Sequence, residues 1–166
     1  MNNKKIYFLL TAVLIAGFFF NSCKKEKQSS IPSLFTYGEW RLTSIQKAKY
    51  LGGSRLSLDT LDIDSVQTFT FNKDQTCAYT NFDDKVGTVN GTWSLSDTQL
   101  YLFANITFPY VTTADTKQPF INCHIVSLGE FSMVIEAGDI QTYYNPTDNR
   151  TIRTYGFVRI KPVVAQ

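Results

Sequence analysis

The 166-residue chain predicts an all-β fold, an eight-stranded antiparallel up-and-down meander barrel, preceded by a removable leader. Three observations carry this. After the first two dozen residues helical periodicity is absent, and short runs rich in Val, Ile, Thr, Tyr, Phe and Trp alternate apolar with polar positions. Gly, Asn, Asp and Pro clusters separate these runs, several as tight as hairpin turns. A meander of this many twisted strands removes its exposed edges most readily by closing on itself.

The leader comes first in the chain. Lys4 and Lys5 precede an uncharged block from Ile6 to Phe20, and a helix of that length rises about 22 Å, short of a hydrocarbon core of roughly 30 Å. Such a block suits the apolar region of a signal peptide better than a stable span. Ser22 and Cys23 follow, and then the polar run Lys24-Lys25-Glu26-Lys27-Gln28-Ser29-Ser30. The Phe20-Asn21-Ser22-Cys23 stretch resembles the lipobox of Gram-negative lipoproteins. That resemblance implies cleavage before Cys23, acylation of Cys23 with palmitate among its chains, and an outer-membrane location. The residues after Cys23 are basic rather than acidic, which favours a periplasm-facing leaflet. Residues 1–22 thus read as signal peptide, 23–35 as a polar tether and 36–162 as the barrel domain.

Removing the leader changes the charge. Of 16 basic and 14 acidic residues, residues 1–22 hold two Lys and no acid, leaving 14 of each. A near-neutral domain gives no support to nucleic acid as a partner. The length suits a single core.

Eight strands are expected, near residues 38–46, 66–72, 76–82, 87–95, 99–108, 119–128, 131–138 and 151–160. Period-two apolar positions mark their inner faces: Trp40 and Leu42, Phe69 and Phe71, Val89, Trp93 and Leu95, Leu100, Leu102 and Ile106, then Met133 and Ile135. Arg41, Thr43, Thr70, Thr92, Ser94 and Glu136 stand between them. Hairpin turns are expected at 71–76, 95–99 and 127–131. Lys47 to Ser65 is the longest connection, with Gly52-Gly53-Ser54 at its tip.

Gly38-Glu39-Trp40-Arg41-Leu42 and Gly91-Thr92-Trp93-Ser94-Leu95 repeat a Gly-x-Trp-x-Leu pattern. Gly38 and Gly91 therefore read as structural positions where the chain bends or a large ring packs across it. The first Gly-x-Trp, then Phe69-Thr70-Phe71-Asn72-Lys73-Asp74-Gln75-Thr76, the second Gly-x-Trp and Leu100-Tyr101-Leu102 together resemble the lipocalin-like domain of Gram-negative (Bacteroidota-type) lipoproteins, over residues 36–160. The resemblance implies that Trp40 plugs one barrel end, that Arg159 or Arg153 stacks over it, and that residues 47–65 form a lid. Family members carry Gly after the turn Asp; Gln75 stands here, which predicts a different turn.

An eight-stranded barrel interior is either just filled by side chains or holds one small ligand. The functional expectation is a lipid-anchored envelope protein binding a small apolar ligand, with Trp40, Phe69, Phe71, Tyr79, Trp93 and His124 as candidate contacts. The alternative is a filled barrel acting as an interaction or scaffold module for an envelope protein. Cys77 and Cys123 sit in alternating runs in an oxidising compartment and are a candidate disulfide. Asp59-Thr60-Leu61 and Asp64-Ser65-Val66 resemble a three-residue O-glycosylation signal at Thr60 and Ser65.

Chemistry is otherwise sparse. Asp59, Asp62 and Asp64 lack the further oxygen ligands a calcium loop needs, and His124 with Cys123 lacks two zinc ligands. No metal or cofactor is expected. With no nucleophile and base in one pattern, the chain reads as a non-enzyme.

Overall fold

The computed structural model describes residues 30–111, 117–141 and 143–160; the leader and Cys23 lie outside them. Among the described residues no helix is long and apolar enough to cross a membrane.

The described chain opens on α1 (Ile31–Thr36), where the Ser30 side chain accepts from Ser33 N and Pro32 occupies the first turn. A helix this short has no independent stability; it is held by Phe35, fully buried in the barrel core. Residues 31–35, read above as the end of a tether, are therefore part of the folded unit.

Nine strands follow: β1 (Glu39–Leu51), β2 (Ser54–Leu61), β3 (Thr68–Phe71), β4 (Thr76–Thr80), β5 (Thr88–Leu95), β6 (Tyr101–Asn105), β7 (Cys123–Leu128), β8 (Ser132–Gly138) and β9 (Asn149–Ile160). Successive strands pair antiparallel from β3 to β9, and β1 pairs with both β9 and β3. That closes an eight-stranded up-and-down barrel, as the sequence predicts. The ninth strand, β2, lies outside the ring. Arg41 is paired with Thr68 of β3, whereas Ile45 onward is paired with β2, so β2 and β3 share one edge of β1 in succession. A register shift between Leu42 and Ser44 bends β1 where this exchange happens.

The long connection expected at 47–65 is thus mostly strand. β1 continues past the barrel wall and returns as β2 through a two-residue turn at Gly52 and Gly53, closed by Leu51 opposite Ser54. Gly52 has φ +53, and a Cβ there would meet Pro146 backbone at 2.5 Å, so Gly is required.

Inward positions agree with the alternation for Trp40, Leu42, Phe69, Phe71, Trp93, Leu102, Ile106, Met133 and Ile135, all buried. Leu100 does not follow; it is 52% exposed. β6 begins at Tyr101, and Leu100 belongs to the turn before it. Gln75 adopts φ +66, so the turn takes the left-handed residue that Gly would supply, and the different turn expected from Gln75 is not found. The Asp74 carboxylate anchors it, accepting from Thr76 N at 3.0 Å and Thr76 Oγ1 at 2.7 Å.

Candidate functional site

The barrel has two unlike ends. At one, the α1 segment, the β3–β4, β5–β6 and β7–β8 turns and the end of β9 converge. Trp40 plugs this end, its indole N–H donating to Phe35 O at 3.1 Å. The Arg159 guanidinium lies 4.4 Å over the Trp40 ring and donates to the carbonyls of Leu34 and Gly129. Burial lowers the Arg159 pKa, partly countered by Glu130 and Tyr37. Of the two arginines offered for stacking, Arg159 takes the role and Arg153 does not; Arg153 lines the opposite end.

Gly38 has φ +98, which turns the chain into β1. Gly91 solves a packing problem: a Cβ there would meet Asn105 O and would stand 2.7 Å from Ile106 Cγ1. Trp93 packs 5.3 Å from Phe71 and 5.6 Å from Phe35, and its N–H donates to Asn72 O at 2.9 Å.

The rings offered as ligand contacts form the core. Phe69 lies 4.1 Å from Phe71, 5.1 Å from Tyr79 and 5.0 Å from Phe120, while Tyr79 stacks on Phe120 at 5.2 Å. Trp40, Phe69, Phe71 and Tyr79 are at most 1% exposed. They touch one another, with Phe120 from the β6–β7 connection closing over them, so the barrel body is filled with side chains. Sequence reasoning missed Phe35, Phe82, Phe108 and Phe120; Phe108 extends the buried alternation of Leu102, Ala104 and Ile106 past the end of β6, whereas the other three come from segments without strand alternation.

His124 is not inside. Its strand neighbour Cys123 faces the core, so His124 faces out. There its Nδ1 lies 3.7 Å from a Glu136 carboxylate oxygen, and its ring packs 5.4 Å from Tyr101.

Cys77 and Cys123 are free, buried thiols, and the candidate bridge is not formed. They lie on β4 and β7, three strand spacings or roughly 14 Å apart along the sheet, beyond the Cα separation of under about 7 Å that a disulfide needs. Burial pushes the Cys77 thiol up to about 12 and raises that of Cys123 as well.

At the other end the barrel opens into a cup of about 340 Å³ lined by Ile45, Lys47, Leu61, Gln67, Phe82, Asp83, Tyr110, Val111, Arg153 and Tyr155. Ile45 and Lys47 come from the bent half of β1, Leu61 from β2, and Arg153 and Tyr155 from β9. Lys47 and Arg153 are direct cross-strand partners in the β1–β9 ladder, so two cations face the cup side by side.

A polar chain runs below one wall of the cup. Tyr79 OH donates to Gln67 Oε1 at 3.2 Å, Gln67 Nε2 donates to Asp84 Oδ1 at 3.2 Å, and Ser65 donates to the same oxygen through N at 2.8 Å and Oγ at 2.6 Å. The Ser65 hydroxyl bond is the largest influence holding the Asp84 carboxyl below its ordinary value. Burial raises the Tyr79 phenol well above its usual range and Tyr110 less so. Asn81, Asp83 and Asp84 all adopt left-handed φ, at 58°, 55° and 57°. Asn and Asp tolerate that region better than other side chains, which accounts for their use in this tight loop.

Of the candidate glycosylation positions, Thr60 is exposed on β2, whereas Ser65 is half-buried with its hydroxyl committed to Asp84. Among the described residues no group of three or more His, Cys, Asp or Glu side chains converges as a metal site.

No family model matches this chain, and no curated protein matches it. Among solved structures it is similar to a DUF4847 family protein from Bacteroides vulgatus, at 13% identity, with a TM-score of 0.50, over 80% of this chain and 99% of that one. At such identity the likeness shows a shared barrel fold.

Proposed function

We propose that the protein is a lipid-anchored barrel of the bacterial outer membrane, facing the periplasm, whose filled body supports a shallow site for a small ligand with an apolar part and an acidic group. The cross-strand pair Lys47 and Arg153 carries this reading. Both side chains can donate charge-assisted hydrogen bonds to an anion placed between them. Ile45, Leu61, Phe82 and Val111 supply the apolar walls. The volume is at the lower end of small-molecule sites, which favours compact aryl or medium-chain alkyl carboxylates over long lipids. The core rings Trp40, Phe69, Phe71 and Tyr79 lie beneath the ligand as its foundation.

Calorimetric titration of the barrel domain with such carboxylates and with their methyl esters tests this. The acids bind, the esters bind at least ten-fold more weakly, and Lys47→Ala or Arg153→Ala removes the difference. Equal affinity for acid and ester, or no binding of either at millimolar concentration, overturns the assignment. Anchoring is tested separately by palmitate incorporation, expected for the parent chain and lost in Cys23→Ser.

The filled interior also favours a second reading, an envelope interaction module without a small ligand. β2 would be its docking strand, since Leu56, Leu58 and Leu61 are exposed on it. Failure of every carboxylate together with loss of a cross-linked envelope partner on Leu58→Lys would select this one.

A further inference from the structure

Chain order ties one end of the barrel to the anchor. Cys23 and Ser30 are seven residue steps apart, so whatever path that stretch takes it spans at most about 25 Å. Ser30 caps α1, and α1 is fastened across the closed end by buried Phe35, by the Trp40 bond to Phe35 O and by the Arg159 bond to Leu34 O. From Ile160 at the closed end to Arg153 at the cup, β9 rises about 23 Å along the strand and about 18 Å along the axis of a barrel whose strands tilt near 40°. With α1 fixed at the closed end, that end is the part of the barrel the leash joins most directly to the bilayer that holds Cys23.

Three connections at the closed end each present one large apolar side chain to solvent: Tyr37 after α1 at 59% exposed, Leu100 on the β5–β6 turn at 52%, and Phe131 on the β7–β8 turn at 56%. Beside them, an apolar groove of about 460 Å³ is lined by Pro32, Thr36, Lys73, Trp93 and Leu95 among others. Among the described residues the exposed charges at this end are mixed: Lys73 is accompanied by Asp74, Asp97 and Glu130. An end with this balance has no net attraction for anionic lipid. Its aromatic and aliphatic tips suit the headgroup boundary, where tyrosine can bury its ring and keep its hydroxyl wet.

We infer that the closed end of the barrel rests on the phospholipid surface that holds the anchor, with Tyr37, Leu100 and Phe131 in the headgroup region, so that the Lys47–Arg153 cup opens away from the lipid. This rests on the lipid-anchor reading above. The contact is apolar and shallow, while permanence comes from the acyl chains.

The test uses the full-length lipidated protein with a fluorophore on Phe131→Cys at the closed end or on Val86→Cys at the mouth. Buried Cys77 and Cys123 do not compete for the label. Each sample is reconstituted into phosphatidylcholine vesicles containing a headgroup-region nitroxide lipid. Quenching at residue 131 is expected to exceed that at residue 86 several-fold, and replacing a third of the lipid with phosphatidylglycerol is expected to leave the ratio unchanged. Vesicle-bound protein with equal quenching at the two labels, or more at residue 86, overturns the orientation alone. A parent chain that floats with vesicles no better than its Cys23→Ser variant overturns the anchor and the orientation together.

Discussion

Arg159 is the residue whose replacement most directly probes how the closed end is held. Besides lying 5.4 Å from the Tyr37 ring, its guanidinium has three closer attachments: the Trp40 ring at 4.4 Å, the carbonyl of Leu34 in α1 and the carbonyl of Gly129 in the β7–β8 turn at 3.5 Å. Arg159→Met keeps an apolar stem over the indole and deletes all three. The cation-π contact contributes about 1 kcal/mol, and loss of the charged hydrogen bond to Leu34 O costs about 1.5 kcal/mol. The Gly129 bond is long and adds little. Against these stands relief of a desolvated cation whose Nε has no hydrogen-bond partner, worth roughly 1 kcal/mol. The net is a loss of about 1.5 kcal/mol, or a fall of about 5 °C in the melting temperature of a domain this size. Arg159→Ala also removes the stem and should lose roughly a further 1 kcal/mol. Urea unfolding measures both, and amide exchange reads the site itself: the Leu34 amide, bonded to Ser30 O, should lose protection more than β4 amides do. An Arg159→Met variant as stable as the parent, with α1 protection intact, would refute the idea that the cation fastens helix to barrel.

Other substitutions carry distinct outcomes. Gly91→Ala forces a Cβ into Asn105 backbone, which cannot move aside as a side chain could, so a loss of about 3 kcal/mol is expected in urea unfolding, against under about 0.5 kcal/mol for Gly129→Ala, whose nearest contact is 3.8 Å. Gln75→Gly relieves a left-handed residue at φ +66 and should raise stability by about 1 kcal/mol; a lower urea midpoint would contradict this. Because the Asp84 carboxyl is held below its ordinary 3.8 by Ser65 first and Gln67 among others, its contribution is complete above that unfolded value and vanishes as pH falls through the lower folded one. Asp84→Asn should therefore flatten the loss of stability between pH 5 and the acid end, leaving only the part due to groups such as Asp74, also depressed; an unchanged acid limb rules that out. The thiols of Cys77 and Cys123 should resist an aromatic disulfide reagent at pH 8 in the folded domain and react fully in denaturant.

Strand identity was legible wherever one face met the core, because burial of alternate positions is the physics that period-two patterns record. β3, β4, β5, β8 and the first half of β1 follow it. β2 escaped because it has no buried face: Leu56 and Leu58 alternate with Ser57 and Asp59, yet both leucines are exposed, and a Gly-Gly turn with three nearby aspartates resembles a polar loop. The Leu-x-Leu spacing after a two-residue glycine turn was the available signal. The close packing of the candidate interior rings was hidden for a different reason. Alternation says that Phe69, Phe71 and Tyr79 point inward; it is silent on whether the space they point into is already occupied by Phe82, Phe108 and Phe120, whose chain segments arrive from the mouth.

That occupation divides the molecule. Phe120 and Phe82 descend from the β6–β7 and β4–β5 connections at the mouth and stack over Tyr79 and against Phe108, so these loops are fastened to the same ring cluster that fills the body. Phe82 and Tyr155 line the cup at the top of a continuous aromatic column, and the cup cannot deepen without displacing rings that pay for the fold. Under the proposed function, selectivity rests on what the rim supplies. Among the described residues that is the cross-strand pair Lys47 and Arg153 with Asp83 beside them, a set of donors that suits a single acidic group better than a neutral apolar molecule.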